Sequence, residues 1–245
     1  MEIKQYTKNI SSHFEEFAKA IKSDSPVNIL SIHVVGSALT PDFIPGQSDV
    51  NSIVVADEVT LEFLDFIVRL GKKYSQYGVA APLLMTPGYI ETSLDVFPIE
   101  FLNFSAIHHT MFGPDILQDL SIDRTHLLLQ CEREVKSKLL WLHQGYIESL
   151  DDEKLLVVWL SNSITGYIPL FRAILFLGGH KLMLSAQNTA AALEKYTGLD
   201  TGIFNKIVQL KNPDTAEDNE QLCDCFADYY HATQNLAKYV EKLAE

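Results

Sequence analysis

The residues whose types and spacing could do chemistry lie in one passage, residues 31–56, SIHVVGSALTPDFIPGQSDVNSIVVA. One run of β-branched residues ends in Gly36 and Ser37, and a second opens with Asp49, Val50 and Asn51. A glycine after a buried strand lets a ligand approach the backbone closely. The Ser37 hydroxyl and neighbouring N–H groups can hold phosphate oxygens, the more so where a helix starts. Side chains two apart on a strand face the same side, so Asp49 and Asn51 share a face on which a carboxylate can hold Mg²⁺ against those phosphates. In phosphoryl or nucleotidyl transfer two such ions, about 3.5–4 Å apart, activate the attacking oxygen and stabilise the leaving pyrophosphate. Triphosphate chemistry needs both halves of the passage.

Positioning these groups takes a sheet. Residues 27–35 are short, β-branched and closed by Gly36, the pattern of a buried strand, and residues 50–56 form a second strand after the turn signals Pro45, Gly46 and Ser48. Before them, Ile10, Phe14, Phe17, Ala18 and Ile21 fall at helical spacing up to Ser23. After them, Leu61, Leu64, Ile67, Val68 and Leu70 do the same, with Thr60 able to cap the helix and Gly78 to stop it. Two extended pieces, residues 79–85 and 94–103, are expected next, separated by a turn at residues 86–88. Beyond Gly113 the strand signals vanish. Helices are expected at residues 124–146, 153–177, 185–197, 203–210 and 217–243, with breaks at Gly178-Gly179, Gly198 and Asn212-Pro213. The fold class is therefore α+β, a mixed sheet with flanking helices followed by an all-α bundle. Gly113-Pro114 divides a first domain, residues 1–113, from a second, residues 114–245.

Composition narrows the partners. The chain has 245 residues, 47% apolar and 21% charged, enough for two domains that each bury a core. A formal charge of −13, with no run of Lys and Arg, disfavours a long nucleic acid. The N-terminus lacks the uninterrupted apolar core of a secretory signal, and an odd count of 3 cysteines suits a reducing compartment, so a cytoplasmic location is expected. Residues 155–177 approach the length of a membrane span, yet contain Asn162, Thr165, Gly166, Pro169 and Arg172. They read as buried helices, and no membrane partner is expected.

The passage resembles the nucleotidyltransferase superfamily that includes DNA polymerase beta, the kanamycin and related aminoglycoside enzymes and the stand-alone minimal nucleotidyltransferases. Its pattern is a hydrophobic strand, Gly-Ser or Gly-Gly, a gap of about a dozen residues, then Asp-x-Asp or Asp-x-Glu. Here Gly36-Ser37 and Asp49-Val50-Asn51 stand at that spacing, and a helical bundle after the catalytic domain matches the aminoglycoside layout. The resemblance implies a nucleoside triphosphate such as ATP as substrate, held by Gly36, Ser37 and Ser48, with Mg²⁺ on Asp49, Asn51 and a third acid. That third acid belongs on a later strand beside the first two. The candidates are Glu100, which is favoured because it lies between Ile99 and Phe101, and Asp95, which also reads as a turn residue. The catalytic set is then Asp49, Asn51 and Glu100. Asn51 departs from the pattern: an amide oxygen is a neutral ligand where a hard dication wants an anionic one, so metal affinity and rate should fall.

Two functions compete. One is a transferase moving a nucleoside monophosphate to a hydroxyl of a small molecule or protein, the bundle shaping the acceptor pocket. The other is a pseudoenzyme, a nucleotide-binding or antitoxin-like regulatory module that has lost transfer through Asn51. The resemblance also implies a homodimer formed through the helical parts. Four further features read as structural: His108-His109 as loop or cap residues, Cys223, Cys225 and His231 as no zinc site, Arg172 as paired inside its helix layer, and the acidic runs 151–153 and 214–220 as solvated loops.

Overall fold

The computed structural model describes residues 3–150, 152–209 and 219–243. Two compact units divide the chain, Met1–Asp123 and Arg124–Glu245.

In the first unit, β1 (Ile29–Val35) is the central strand of a four-stranded mixed sheet in the order β3-β2-β1-β4. β2 (Asn51–Ala56) runs antiparallel to it, with Val35 opposite Asn51 and His33 opposite Ile53. β3 (Leu83–Met85) lies parallel to β2, and β4 (His108–Phe112) antiparallel to β1 on its other side. Ahead of the sheet, α1 (Ser12–Asp24) starts where the Ser11 side chain accepts from the Phe14 N–H, and it buries Phe14, Phe17, Ala18 and Ile21 at three- and four-residue spacing. Thr60 caps α2 (Leu61–Tyr74) in the same way through the Phe63 N–H, and a short 3-10 turn ends at Gly78, whose φ of +72° suits only glycine comfortably. One face of the sheet presents Val35, Ile53, Val55 and Met85, and Ile90, Phe101 and Leu117 close over them.

Residues 94–103 are not the expected strand. Thr86 caps a short helix, α3 (Pro87–Ser93), Asp95 sits exposed in the turn that follows, and α4 (Pro98–Ala106) covers the sheet. Pro98 takes the first helical position, where its missing N–H costs nothing. The run Ile99-Glu100-Phe101-Leu102-Asn103 alternates, but it also satisfies a helix: Pro98, Ile99, Phe101 and Leu102 are buried while Glu100 is exposed. The remaining strand is β4, so His108 and His109 lie in the sheet rather than in a loop, and His108 also caps the end of α4 through the Phe104 and Ser105 carbonyls. The extended piece at residues 79–85 is shorter than expected, β3 being preceded by a single bridge between Val50 and Val79.

Gly113 turns the chain out of β4 at a φ of +77°, so close to β1 that a Cβ there would stand 2.9 Å from the Ser31 Cα and closer still to the Leu30 carbonyl oxygen. Leu117 then buries completely in the sheet's core, which keeps the residues after Pro114 with the first unit.

The regular elements among the second unit's described residues are all helices: α5 (Arg124–Ser149), α6 (Glu153–Ser163), α7 (Tyr167–Leu177), α8 (Ala186–Thr197), α9 (Gly202–Gln209) and α10 (Asn219–Lys242). The one helix expected over residues 153–177 is two, parted at Gly166 with φ +85° and bent by 40°. Among the described residues no single helix is long and apolar enough to cross a membrane. Tyr167, Phe171, Phe204 and Tyr229 meet in the interior. Arg172 is buried in α7, and its guanidinium donates to the Met183 and Leu184 carbonyls at 2.9 and 2.6 Å, holding the approach to α8. The thiols of Cys131 and Cys225 are buried, and desolvation pushes that of Cys131 up to about 12. The break at residues 212–213, position 151 and most of the run 214–220 lie outside the described residues.

Candidate active site

The Gly-Ser turn and the start of β2 come together at one end of the sheet, with Gly36 beside Asn51, while Asp49 lies against Gly78. β1 ends at Val35, and Gly36 opens a 3-10 turn, Gly36–Leu39, with φ +79°. The turn is anchored from below by Ala38 and Leu39, both fully buried, and by Thr40, whose N–H and hydroxyl both donate to the Ser37 carbonyl at 2.9 and 3.0 Å. The Asn9 side-chain amide donates to the Ala38 carbonyl at 3.0 Å. Gly36 is thereby exposed and Ser37 half-buried on a fixed backbone.

Across β1's end stands Asn51, opposite Val35; its Nδ2 lies 3.9 Å from where a Cβ on Gly36 would be. Asp49 precedes it by two residues and is exposed. Its Oδ1 lies 3.7 Å from the Cβ position of Gly78, and Val50 between the two is pinned by bonds to Gly78 and Ala80. Asp49 and Ser48 line a groove of about 540 Å³ together with Asn9, Ser11, Phe43 and Tyr77. Ser48 also shapes its own loop, its hydroxyl oxygen accepting from the Ile44 N–H at 3.1 Å.

The third acid is not where a strand would have put it. Glu100 occupies the first turn of α4, and β4, the strand flanking β1 opposite β2, carries His108, His109, Thr110, Met111 and Phe112, none of them acidic. Among the described residues no group of three or more His, Cys, Asp or Glu side chains is arranged to hold a metal ion.

In place of an acid, β1 and β4 share a polar chain that the sequence reading missed. His33, fully buried, is bonded through Nδ1 to the Thr110 hydroxyl and through Nε2 to the Ser31 hydroxyl, both at 2.9 Å. His108 packs edge-on against it, donates from Nδ1 to the Phe104 and Ser105 carbonyls, and meets Asp115 Oδ1 through Nε2 at 2.9 Å. Desolvation lowers His33 to about 4; the nearby Asp115 charge opposes this and that of His108 assists it. Burial pushes the Asp115 carboxyl up, but the hydrogen bond and charge of His108, with smaller help from His33 and Thr110, leave it below the ordinary carboxylate value. The only sequence signal for this chain is Ser31 and His33 interrupting an apolar strand two residues apart.

No protein-family model matches the sequence, and no curated protein sequence matches it. Among solved structures, the chain is similar to spectinomycin adenyltransferase from Enterococcus faecialis, crystallised with ATP and spectinomycin. The likeness has a TM-score of 0.50 at 12% sequence identity and spans 96% of this chain and 97% of that one. At that identity the likeness concerns the fold: a nucleotidyltransferase-type α+β unit followed by a helical unit.

Proposed function

We propose that this chain is a nucleotidyltransferase that binds a nucleoside triphosphate with Mg²⁺ at the joined ends of β1 and β2 and moves the nucleoside monophosphate to a hydroxyl of a small molecule. The observation that carries this reading is the juxtaposition of an exposed, left-handed Gly36 with Asn51, on the strand that Asp49 introduces. A side-chain-free backbone, the Ser37 hydroxyl and a carboxylate at one sheet end form the minimum that phosphate and a dication require. The full-length likeness to a structure containing ATP and spectinomycin supports a triphosphate and a small-molecule acceptor.

The donor set fits one ion better than two. Asp49 offers the single carboxylate and Asn51 a neutral oxygen, and Mg²⁺ commonly takes one or two carboxylates and completes its shell with substrate phosphates and water. When bound, the ion would neutralise charge on the triphosphate. The chain's own residues would orient it, Ser37 and the fixed backbone of residues 36–40 holding phosphate oxygens while the acceptor hydroxyl releases its proton to solvent, its oxygen bonds to the α-phosphorus and pyrophosphate leaves. The missing second carboxylate makes this a slow enzyme.

Calorimetric binding of ATP, GTP, CTP and UTP with Mg²⁺ or Mn²⁺ tests the reading. Metal-dependent binding by the wild type, abolished in Asp49→Ala and strengthened in Asn51→Asp, is the expected result. Glu100→Gln decides the third acid, since a metal ligand there would weaken binding as Asp49→Ala does. Binding of no nucleotide by the wild type would sink the proposal.

A further inference from the structure

The helical unit holds a cavity that the proposed transfer does not use. Between α5, α6 and α10 lies a half-open groove of about 430 Å³, with Trp141, Gly145, Tyr146, Leu156, Trp159 and Phe226 among its walls. The walls are strongly aromatic: Trp141 and Trp159 meet edge-on with centroids 6.4 Å apart, and Tyr146 stacks on Phe226 at 4.4 Å. Gly145 lets the Trp159 ring lie against α5, because a Cβ there would come within 2.8 Å of it. Sites of this size and apolar lining take small molecules when a few polar groups converge at one end.

Such an end exists. A second cavity of about 270 Å³ adjoins the first, and Trp141, Asn162 and Ser163 line both. Its cation is Lys138, whose Nζ donates to the Thr165 carbonyl at 2.6 Å and the Ser163 carbonyl at 3.4 Å and sits 4.2 Å over the Tyr167 ring. Carbonyl dipoles and a ring face neutralise an ammonium only in part. The other ionised group of this cavity is Glu134, one helical turn earlier. Its carboxylate lies 3.7 Å from the Arg133 guanidinium and its side chain is 41% exposed, so its charge is shared with Arg133 and solvent.

We propose that these adjoining cavities form a binding site for a small amphipathic acid, its alicyclic or aromatic body against the paired rings of Trp141 and Trp159 and its carboxylate on Lys138. Burial lowers Lys138 to about 8 against the opposing pull of the Glu134 charge, and a carboxylate beside the ammonium offsets the hydration that burial removes.

Both tryptophans of the chain lie in the walls, so intrinsic tryptophan emission reports occupancy directly. The full-length protein is titrated with adamantane carboxylate and with its uncharged carboxamide, neither of which absorbs where tryptophan does. The expected result is a saturable emission change, with the acid binding at least tenfold tighter than the amide. Lys138→Met should remove that preference while leaving the amide's affinity unchanged. Val158→Glu, at a half-exposed position on the groove's rim, should weaken the acid more than the amide. No saturable change with either probe, or equal affinities in the wild type, overturns the proposal. So does tryptophan emission that shifts on dilution as a dimer dissociates, which would give this face to a second copy of the chain.

Discussion

Acidification should loosen the sheet through His33. This histidine is fully buried and its folded pKa lies near 4 against an ordinary 6.5. Because the folded value is depressed, His33 costs nothing above pH 6.5; as pH falls from 6.5 towards 4 the unfolded chain takes up a proton that the folded one refuses. At about 1.36 kcal/mol per pKa unit, the difference of roughly 2.5 units destabilises the first unit by about 2 kcal/mol at pH 5 and about 3 kcal/mol at pH 4. Asp115 adds nothing in the upper part of this window. Its folded pKa lies below 3.8, so its stabilisation is complete above that value and is lost only as pH falls through the folded pKa. His33→Gln keeps a hydrogen-bonding side chain next to Ser31 and Thr110 but cannot titrate. Tryptophan emission comes from Trp141 and Trp159 and would report the second unit, so the suitable assay is amide hydrogen exchange of peptides from β1 and β4 at pH 7.5 and pH 5, corrected for intrinsic rates. The wild type should lose roughly thirtyfold in protection between the two, and His33→Gln much less. A variant that tracks the wild type across this range, or a His33 ring proton titrating near 6.5 by NMR, would refute the reasoning.

Gly113→Ala should cost on the order of 3–5 kcal/mol, from a positive φ and a Cβ driven into the β1 backbone, seen as lost exchange protection in β1 and β4. Gly145→Ala sets helix propensity, worth about 1 kcal/mol in alanine's favour, against a Cβ 2.8 Å from the Trp159 ring. The contact should win, so a urea titration followed by tryptophan emission should show net destabilisation, and a more stable variant would show that Trp159 can move away freely. Thr60→Ala removes the cap on the Phe63 N–H and should cost about 1 kcal/mol in the denaturation midpoint read by circular dichroism.

The part of the candidate site's placement that was legible in sequence is the part whose signals are local. β1 and β2 declare themselves by β-branched runs, and the conformation at Gly36 follows from a glycine ending a buried strand. Asp49 and Asn51 are placed by spacing alone, and the caps Ser11 and Thr60 with the stop at Gly78 are one-residue signals that the structure uses as such. Residues 98–103 carried no such mark. In a run that short, alternation and a helical stripe select nearly the same apolar positions, and the deciding residue was Pro98, which disfavours an inner strand and suits a helix start.

β4 was illegible for a different reason. His108-His109-Thr110-Met111-Phe112 has neither an apolar run nor a clean alternation, and all five residues are half-buried. It is a strand because β1 offers it backbone partners, and Thr110 and His108 are tolerated there because His33 and Asp115 satisfy them. Those partners lie far apart in sequence for His33 and Thr110, and beyond a glycine turn and a proline for Asp115, so no window of a few residues contains the pattern. The same chain of bonds explains why a histidine can sit at the centre of an otherwise apolar strand: each ring nitrogen of His33 has a hydroxyl partner, so the neutral imidazole is buried without an unpaired polar atom, and only protonation makes the position costly.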